Sequence, residues 1–283
     1  MIVDVHTHAF PEEIRRDRER FFPGEPAFQL LYDNPKSRLV GASETVAMMD
    51  EAGVDVSVVF GFPWRNEAWF RLNNDYILEA VSRYPKRLVG FCCLDPAHDG
   101  AAAEVERCLD AGMGGVGELA FYVSGIDRVA LDRLSPLMAL CRERNRPVMI
   151  HTNEPVGHAY PGKTPNTLKQ IYDLVVQFPD NRIILAHWGG GLFFYSLLKK
   201  QVREALANVW MDTAASPFLY HPAIYRTAVE LIGSGKVLLG TDFPLLKPSR
   251  YFEELAESGI SDADREAICG ASAAALLGLS PST

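Results

Sequence analysis

Residues 1–8 read MIVDVHTH, residues 147–155 PVMIHTNEP, residues 183–191 IILAHWGGG and residues 237–244 VLLGTDFP: short apolar runs that end in, or lead straight into, histidine or aspartate. Runs of Val, Ile and Leu without clean polar alternation fit parallel strands buried on both faces. Similar runs recur, giving eight expected strands at 2–6, 54–60, 88–94, 115–121, 147–151, 182–187, 209–213 and 237–240. Amphipathic stretches at 43–52, 73–83, 101–111, 131–144, 164–177 and 192–206 separate them, several stopping at a glycine or just before a proline.

Eight strand and helix alternations in 283 residues predict the α/β class and one (β/α)8 TIM barrel over residues 1–283. A doubly wound sheet is the competitor, but no glycine-rich phosphate loop follows the first strand. Residues 11–39, rich in proline and aromatics, interrupt the rhythm after the first strand and read as a long loop or lid. In a barrel that connection lies on the catalytic face, so the segment either shapes substrate access or is a surface excursion.

Composition narrows the function. Twenty-eight basic against 36 acidic residues give a net charge of -8, and the one basic cluster, RRDRER at 15–20, is flanked by acids and reads as a solvated helix. No concentrated basic surface is expected, so nucleic acid is disfavoured as a partner. The five cysteines lack metal-finger spacing and read as reduced, mostly buried thiols. With no basic leader at MIVDVHTH and no apolar run of about 20 residues, a cytoplasmic protein outside the membrane is expected. No feature of the sequence fixes the quaternary state, and a homo-oligomer is left open.

His6 and His8, two apart in a strand, project to one face, and Asp4 shares that face lower down, where a buried hydrogen-bonding role is the simpler assignment. His151, His187 and Asp242 each close a later run, and barrel residues at C-terminal strand ends converge on one site. Singly, such residues are core histidines or turn caps; burying all of them at strand ends without a ligand is costly.

The His6-x-His8 pair, the strand-ending His151, HWGG and GTDFP together resemble the amidohydrolase superfamily, most closely amidohydrolase type 2. The resemblance covers the whole chain and implies one or two divalent ions held by His6, His8, His151, His187 and Asp242. GEL at 117–119 is similar to the Gly-Glu-Ile segment of TatD-like hydrolases, which implies that Glu118 bridges two metals; otherwise it orients a histidine. Zinc suits these donors best, with manganese or another divalent ion as alternatives.

The implied activity is hydrolysis of a small carbonyl substrate (an amide, lactone or ester) by metal-bound hydroxide, with Asp242 moving the proton and His187 stabilising the developing oxyanion. The alternative is non-oxidative decarboxylation of a small aromatic or enoic acid, and a third reading is a catalytically silent, metal-stabilised binding barrel. Trp64, Arg65, His158, Tyr160, Lys163 and His221 are expected near the substrate or in loop packing.

Overall fold

The computed structural model describes residues 1–280; the last three residues of the expected single domain lie outside the described residues. Eight parallel strands, β1 (Val3–His8), β2 (Val56–Phe60), β3 (Leu88–Cys92), β4 (Gly115–Leu119), β5 (Val148–Ile150), β6 (Ile183–Leu185), β7 (Val209–Asp212) and β8 (Val237–Leu238), pair in sequence order. The seam between β8 and β1 is narrowed by three backbone bonds, from Val5 N to Leu239 O (2.8 Å), Asp242 N to His6 O (2.9 Å) and His8 N to Phe243 O (2.8 Å). The result is a nearly closed (β/α)8 barrel, as the alternation predicts.

The lack of polar alternation has its cause in two apolar environments. Val56, Val58, Phe60, Phe91, Cys93, Met149, Ile184, Ala186 and Leu238 belong to one buried cluster. The alternate positions Val59, Cys92, Val148, Ile150, Ile183, Leu185, Val209, Met211 and Val237 join a larger cluster against the surrounding helices. Helices start where side chains satisfy their first amides: Asn66 accepts from Ala68 N, Asp127 from Ala130 N, and Thr167 and Gln170 form a reciprocal box. Among the described residues no helix is long and apolar enough to cross a membrane. Cys92, Cys93, Cys108 and Cys141 are buried free thiols and Cys269 is partly buried.

Two expectations of local structure are revised. Residues 192–206 are not one helix: His187–Leu197 is a series of tight turns, followed by a short helix, Lys200–Ala205. His187 through Gly191 all have positive φ, between 53° and 88°, which no right-handed helix contains. The insertion 11–39 is not a bare loop but an ordered cap with helices Glu12–Arg16 and Pro26–Tyr32 and a turn at Arg18–Phe21. Its Ile14, Phe21 and Phe28 are buried, and Phe28 lies 4.3 Å from the Trp64 ring and 5.3 Å from Phe62. The insertion thus carries its own apolar payload, and Glu25 fastens it by accepting from the Arg65 and Asn66 amides.

Candidate metal centre

The C-terminal ends of β1, β4, β5, β6 and β8 deliver His6, His8, Glu118, His151, His187 and Asp242 to one mouth. Three overlapping groups (His6, His8, Glu118; His6, His187, Asp242; Glu118, His151, His187) each bring three donor atoms within 4.8 Å of one another. Glu118 lies at the hub: Oε1 is 2.9 Å from His151 Nδ1 and 3.4 Å from His187 Nε2, and Oε2 is 3.6 Å from His6 Nε2 and 4.0 Å from His8 Nε2. Asp242 Oδ1 lies 3.3 Å from His8 Nε2 and 3.7 Å from His6 Nε2.

The backbone departs from regularity where these side chains leave it. Strand register slips between Asp4 and Thr7 on β1 and between Val116 and Leu119 on β4, bracketing His6 and Glu118. Such irregularities re-aim side chains, and here they occur at positions whose side chains join the cluster. His187 and Asp242 both adopt positive φ, 53° and 59°, a conformation held only where surrounding structure imposes it. Gly190 makes the turn after His187 possible, since a Cβ there would lie 2.5 Å from the Asn153 carbonyl.

Three of the imidazoles are anchored on the ring nitrogen that faces away from the cluster. His6 Nδ1 bonds Asp212 Oδ2 (2.8 Å), His8 Nδ1 donates to Gly61 O (3.0 Å) and His187 Nδ1 to Ala214 O (3.0 Å). Each bond leaves Nε2 facing the mouth, where it can ligate a metal or carry a proton. His151 is turned round, with Nδ1 toward Glu118 and Nε2 donating to Gly162 O at 2.9 Å.

A divalent cation fits this arrangement. His6 Nε2 is buried and has no hydrogen-bond partner among the described residues, an orphan that a metal would satisfy. Nitrogen and carboxylate donors in this number suit zinc and manganese alike. The charges agree: burial opposes ionisation of Glu118 and Asp242, but the histidines outweigh it and hold both carboxyls well below the usual range. Burial likewise opposes a charged His6 and His187, yet Glu118, Asp242 and, for His6, Asp212 push them up to about 10 and about 9.

Asp212, absent from the sequence-derived list, ends β7 fully buried; besides His6 it accepts the His187 amide (2.9 Å) and the Ala214 amide (3.0 Å). Its signal was available, since an acid closes the run VWMD as Asp242 follows VLLGT. Asp4 is fully buried and accepts from Thr241 N (3.0 Å) and Thr241 Oγ1 (2.5 Å), the structural role expected of it. Two other residues missed by sequence reasoning are Tyr32 and Tyr122, whose phenols burial and then the charges of Glu118 and Asp242 push up.

The expected substrate residues scatter. Trp64 is buried beneath the cap, with Nε1 donating to Asn73. Arg65 is exposed, 3.7 Å from Asp95, and the exposed His221 uses Nδ1 to accept the Ala223 amide. Tyr160 and Lys163 both hold Glu154, at 2.9 and 3.0 Å, while His158 is exposed beside Tyr160. Glu154 and His158 line a largely apolar cavity of about 580 Å³ together with Val156, Gly190, Phe194, Phe218 and Tyr220. It lies among the loops after β5, β6 and β7, and none of the clustered residues lines it.

A model of the amidohydrolase family matches residues 3–279, and the chain belongs to that family. It is 24% identical to 2-amino-3-carboxymuconate-6-semialdehyde decarboxylase of Dictyostelium discoideum over 99% of this chain and 92% of the relative. It is 25% identical to gamma-resorcylate decarboxylase of Polaromonas sp. over 94% of this chain and 95% of the relative. A crystal structure of dihydroxybenzoic acid decarboxylase from Polaromonas sp. JS666, with bound manganese and the inhibitor 2-nitroresorcinol, shares the fold. Its TM-score is 0.73, at 21% identity, over 99% of this chain and 98% of that one.

These likenesses correct the expectation that the chain hydrolyses an amide, lactone or ester, because the relatives matching nearly its whole length are decarboxylases. The physical reason for the error is that a histidine and carboxylate metal cluster serves both reactions. Ligand spacing therefore does not distinguish them.

Proposed function

We propose that this member of the amidohydrolase family is a divalent-metal-dependent, non-oxidative decarboxylase of a small aromatic or enoic carboxylic acid. The observation that carries the reading is the likeness, along nearly the entire chain, to two decarboxylases of carboxylated unsaturated substrates. His6, His8, His151 and Asp242, with Glu118 at the hub, are the residues that would hold the ion, manganese or zinc. A cation bound there supplies Lewis-acid charge beside the substrate's oxygen substituents.

The chain's own groups divide the remaining work. Asp242, held ionised by His8, His6 and His187, is a poor acid and serves as a ligand. His187 is the proton carrier: its Nδ1 is committed to Ala214 O, and Glu118 and Asp242 outweigh burial in favouring a proton on the ring, which leaves Nε2 to carry it. Nε2 delivers that proton to the carbon bearing the carboxylate. The bond to the carboxylate then breaks, its electron pair returns to the unsaturated system, and carbon dioxide leaves. His187 recovers a proton from solvent, so each turnover consumes one proton and no water. Asp212 and Glu118 fix the imidazoles in position.

The test is a panel of hydroxylated benzoates and a carboxymuconate-type acid incubated with manganese- or zinc-loaded protein in deuterium oxide containing oxygen-18. Carbon dioxide release, with one deuterium at the vacated carbon and no oxygen-18 in the organic product, is expected. Incorporation of solvent oxygen into that product sinks the proposal. His187→Asn is expected to retain metal and lose roughly 100-fold or more in kcat.

A further inference from the structure

The insertion and the segment after β4 bring two phenols to the same wall of the mouth. The Tyr32 ring, at the end of helix Pro26–Tyr32, lies 5.7 Å from Phe10, 4.7 Å from Phe28 and 6.2 Å from Phe62. Tyr122 stacks with the same Phe62 at 6.3 Å, 18° from parallel, and lies 6.0 Å from the His151 ring. Phe62 is buried and joins the two tyrosines into one aromatic face, while His8 joins it through Phe10 at 6.5 Å. Both phenols also feel the charges of Glu118 and Asp242, which puts them within electrostatic reach of the cluster.

Their hydroxyls are idle. Tyr76, Tyr160 and Tyr251 spend theirs on Ala42 N, Glu154 and Thr241 O. Both Tyr32 and Tyr122 are half-buried, and neither hydroxyl has a hydrogen-bond partner among the described residues, nor is either sealed from solvent. A phenol is a neutral donor at working pH. Beside two carboxylates it can grip an oxygen substituent without adding charge to the mouth, and a site built to bond a hydroxyl discriminates against analogues that lack it.

We propose that Tyr32 and Tyr122 are the specificity-determining pair for the substrate ring, hydrogen-bonding oxygen substituents of an aromatic acid laid along the Phe62 face. The proposal rests on the decarboxylase reading for its substrate class and narrows that class to oxygenated aromatic acids. It also makes the insertion 11–39 part of the recognition surface, through Tyr32.

The experiment is direct binding of 2-nitroresorcinol, which bears two ring hydroxyls, and of nitrobenzene, which bears none, to metal-loaded wild type, Tyr32→Phe, Tyr122→Phe and the double variant. Metal content and melting temperature are measured on each. Wild type is expected to prefer 2-nitroresorcinol; each variant loses about fivefold to tenfold in its affinity, with nitrobenzene binding and metal content unchanged. In turnover the loss falls on KM more than on kcat. Variants that bind both probes as wild type does, variants that lose both in parallel, or a wild type indifferent to ring hydroxyls overturn the proposal. A wild type that releases carbon dioxide from no acid in the panel, yet shows tyrosine-dependent discrimination, sinks the decarboxylase reading alone. An active wild type whose variants keep the same preference sinks only the tyrosine pair.

Discussion

Replacing Asp212 by asparagine changes one oxygen into an amide nitrogen at a fully buried position. Oδ1 already accepts two backbone amides, from His187 and Ala214, so the asparagine carbonyl takes that place. The new NH2 then faces His6 Nδ1, where a carboxylate oxygen stood 2.8 Å away. Two donors cannot share that contact, so His6 must become an acceptor at Nδ1 and carry its hydrogen on Nε2, the atom aimed at Glu118 and Asp242. A protonated Nε2 cannot bind metal. Loss of such an orienting partner weakens metal affinity about 10- to 100-fold, or roughly 1.4–2.7 kcal/mol. Competition with a chromophoric chelator, read on wild type and Asp212→Asn at the same pH, gives the ratio, and thermal melts of the metal-free forms check that the barrel is intact. An intact Asp212→Asn that binds manganese or zinc as tightly as wild type would refute the argument that His6 ligates through Nε2 under Asp212's control.

Saturating the metal-free protein with manganese or zinc at about 100 times the dissociation constant should stabilise it by about 2.7 kcal/mol, a rise in Tm of roughly 4–5 °C by scanning calorimetry; no shift would deny that the folded state binds the ion. Gly190→Ala forces a Cβ against the Asn153 carbonyl at positive φ and should lower stability by about 1–3 kcal/mol in urea titrations, whereas a neutral result would mean the turn after His187 is free to relax. Asp4 is raised to about 7, chiefly by burial that its hydrogen bonds to Thr241 and His6 only partly offset. The folded state thus holds its proton more tightly than the unfolded state. The stability linked to Asp4 is complete below about pH 4 and is lost as pH rises through about 7. Metal-free Asp4→Asn should therefore gain on wild type between pH 4 and 8 in denaturant melts, and a gap that does not change with pH would contradict the shift.

The barrel was legible because each strand is buried on both faces, which writes runs such as VMI and IIL into the chain, and because strand ends carry the site. Histidines and aspartates that follow such runs could be read without knowing any contact. Asp212 was missed although the acid closing VWMD was visible, because its part, orienting His6 across 206 residues, is not written beside it. The helix expected over 192–206 failed for a different reason. Apolar periodicity does not register that His187 through Gly191 turn left-handed. The cap over 11–39 was hidden by its composition, since short helices held by Phe21 and Phe28 look like a proline-rich loop in one dimension. Choice of reaction was illegible because the same donors polarise a carboxylate or activate water.

The seam between β1 and β8 has a consequence for how this protein comes into being. His6 and His8 emerge from the ribosome more than 230 residues before Asp242 and the Leu239 and Phe243 carbonyls that accept from Val5 and His8. Contacts of such sequence separation are paid for in chain entropy before they reward it, and they form late. The His6 and His8 imidazoles therefore cannot meet Asp242 until the intervening strands and helices have been made. An ion held as proposed would link the first and last strands of the barrel.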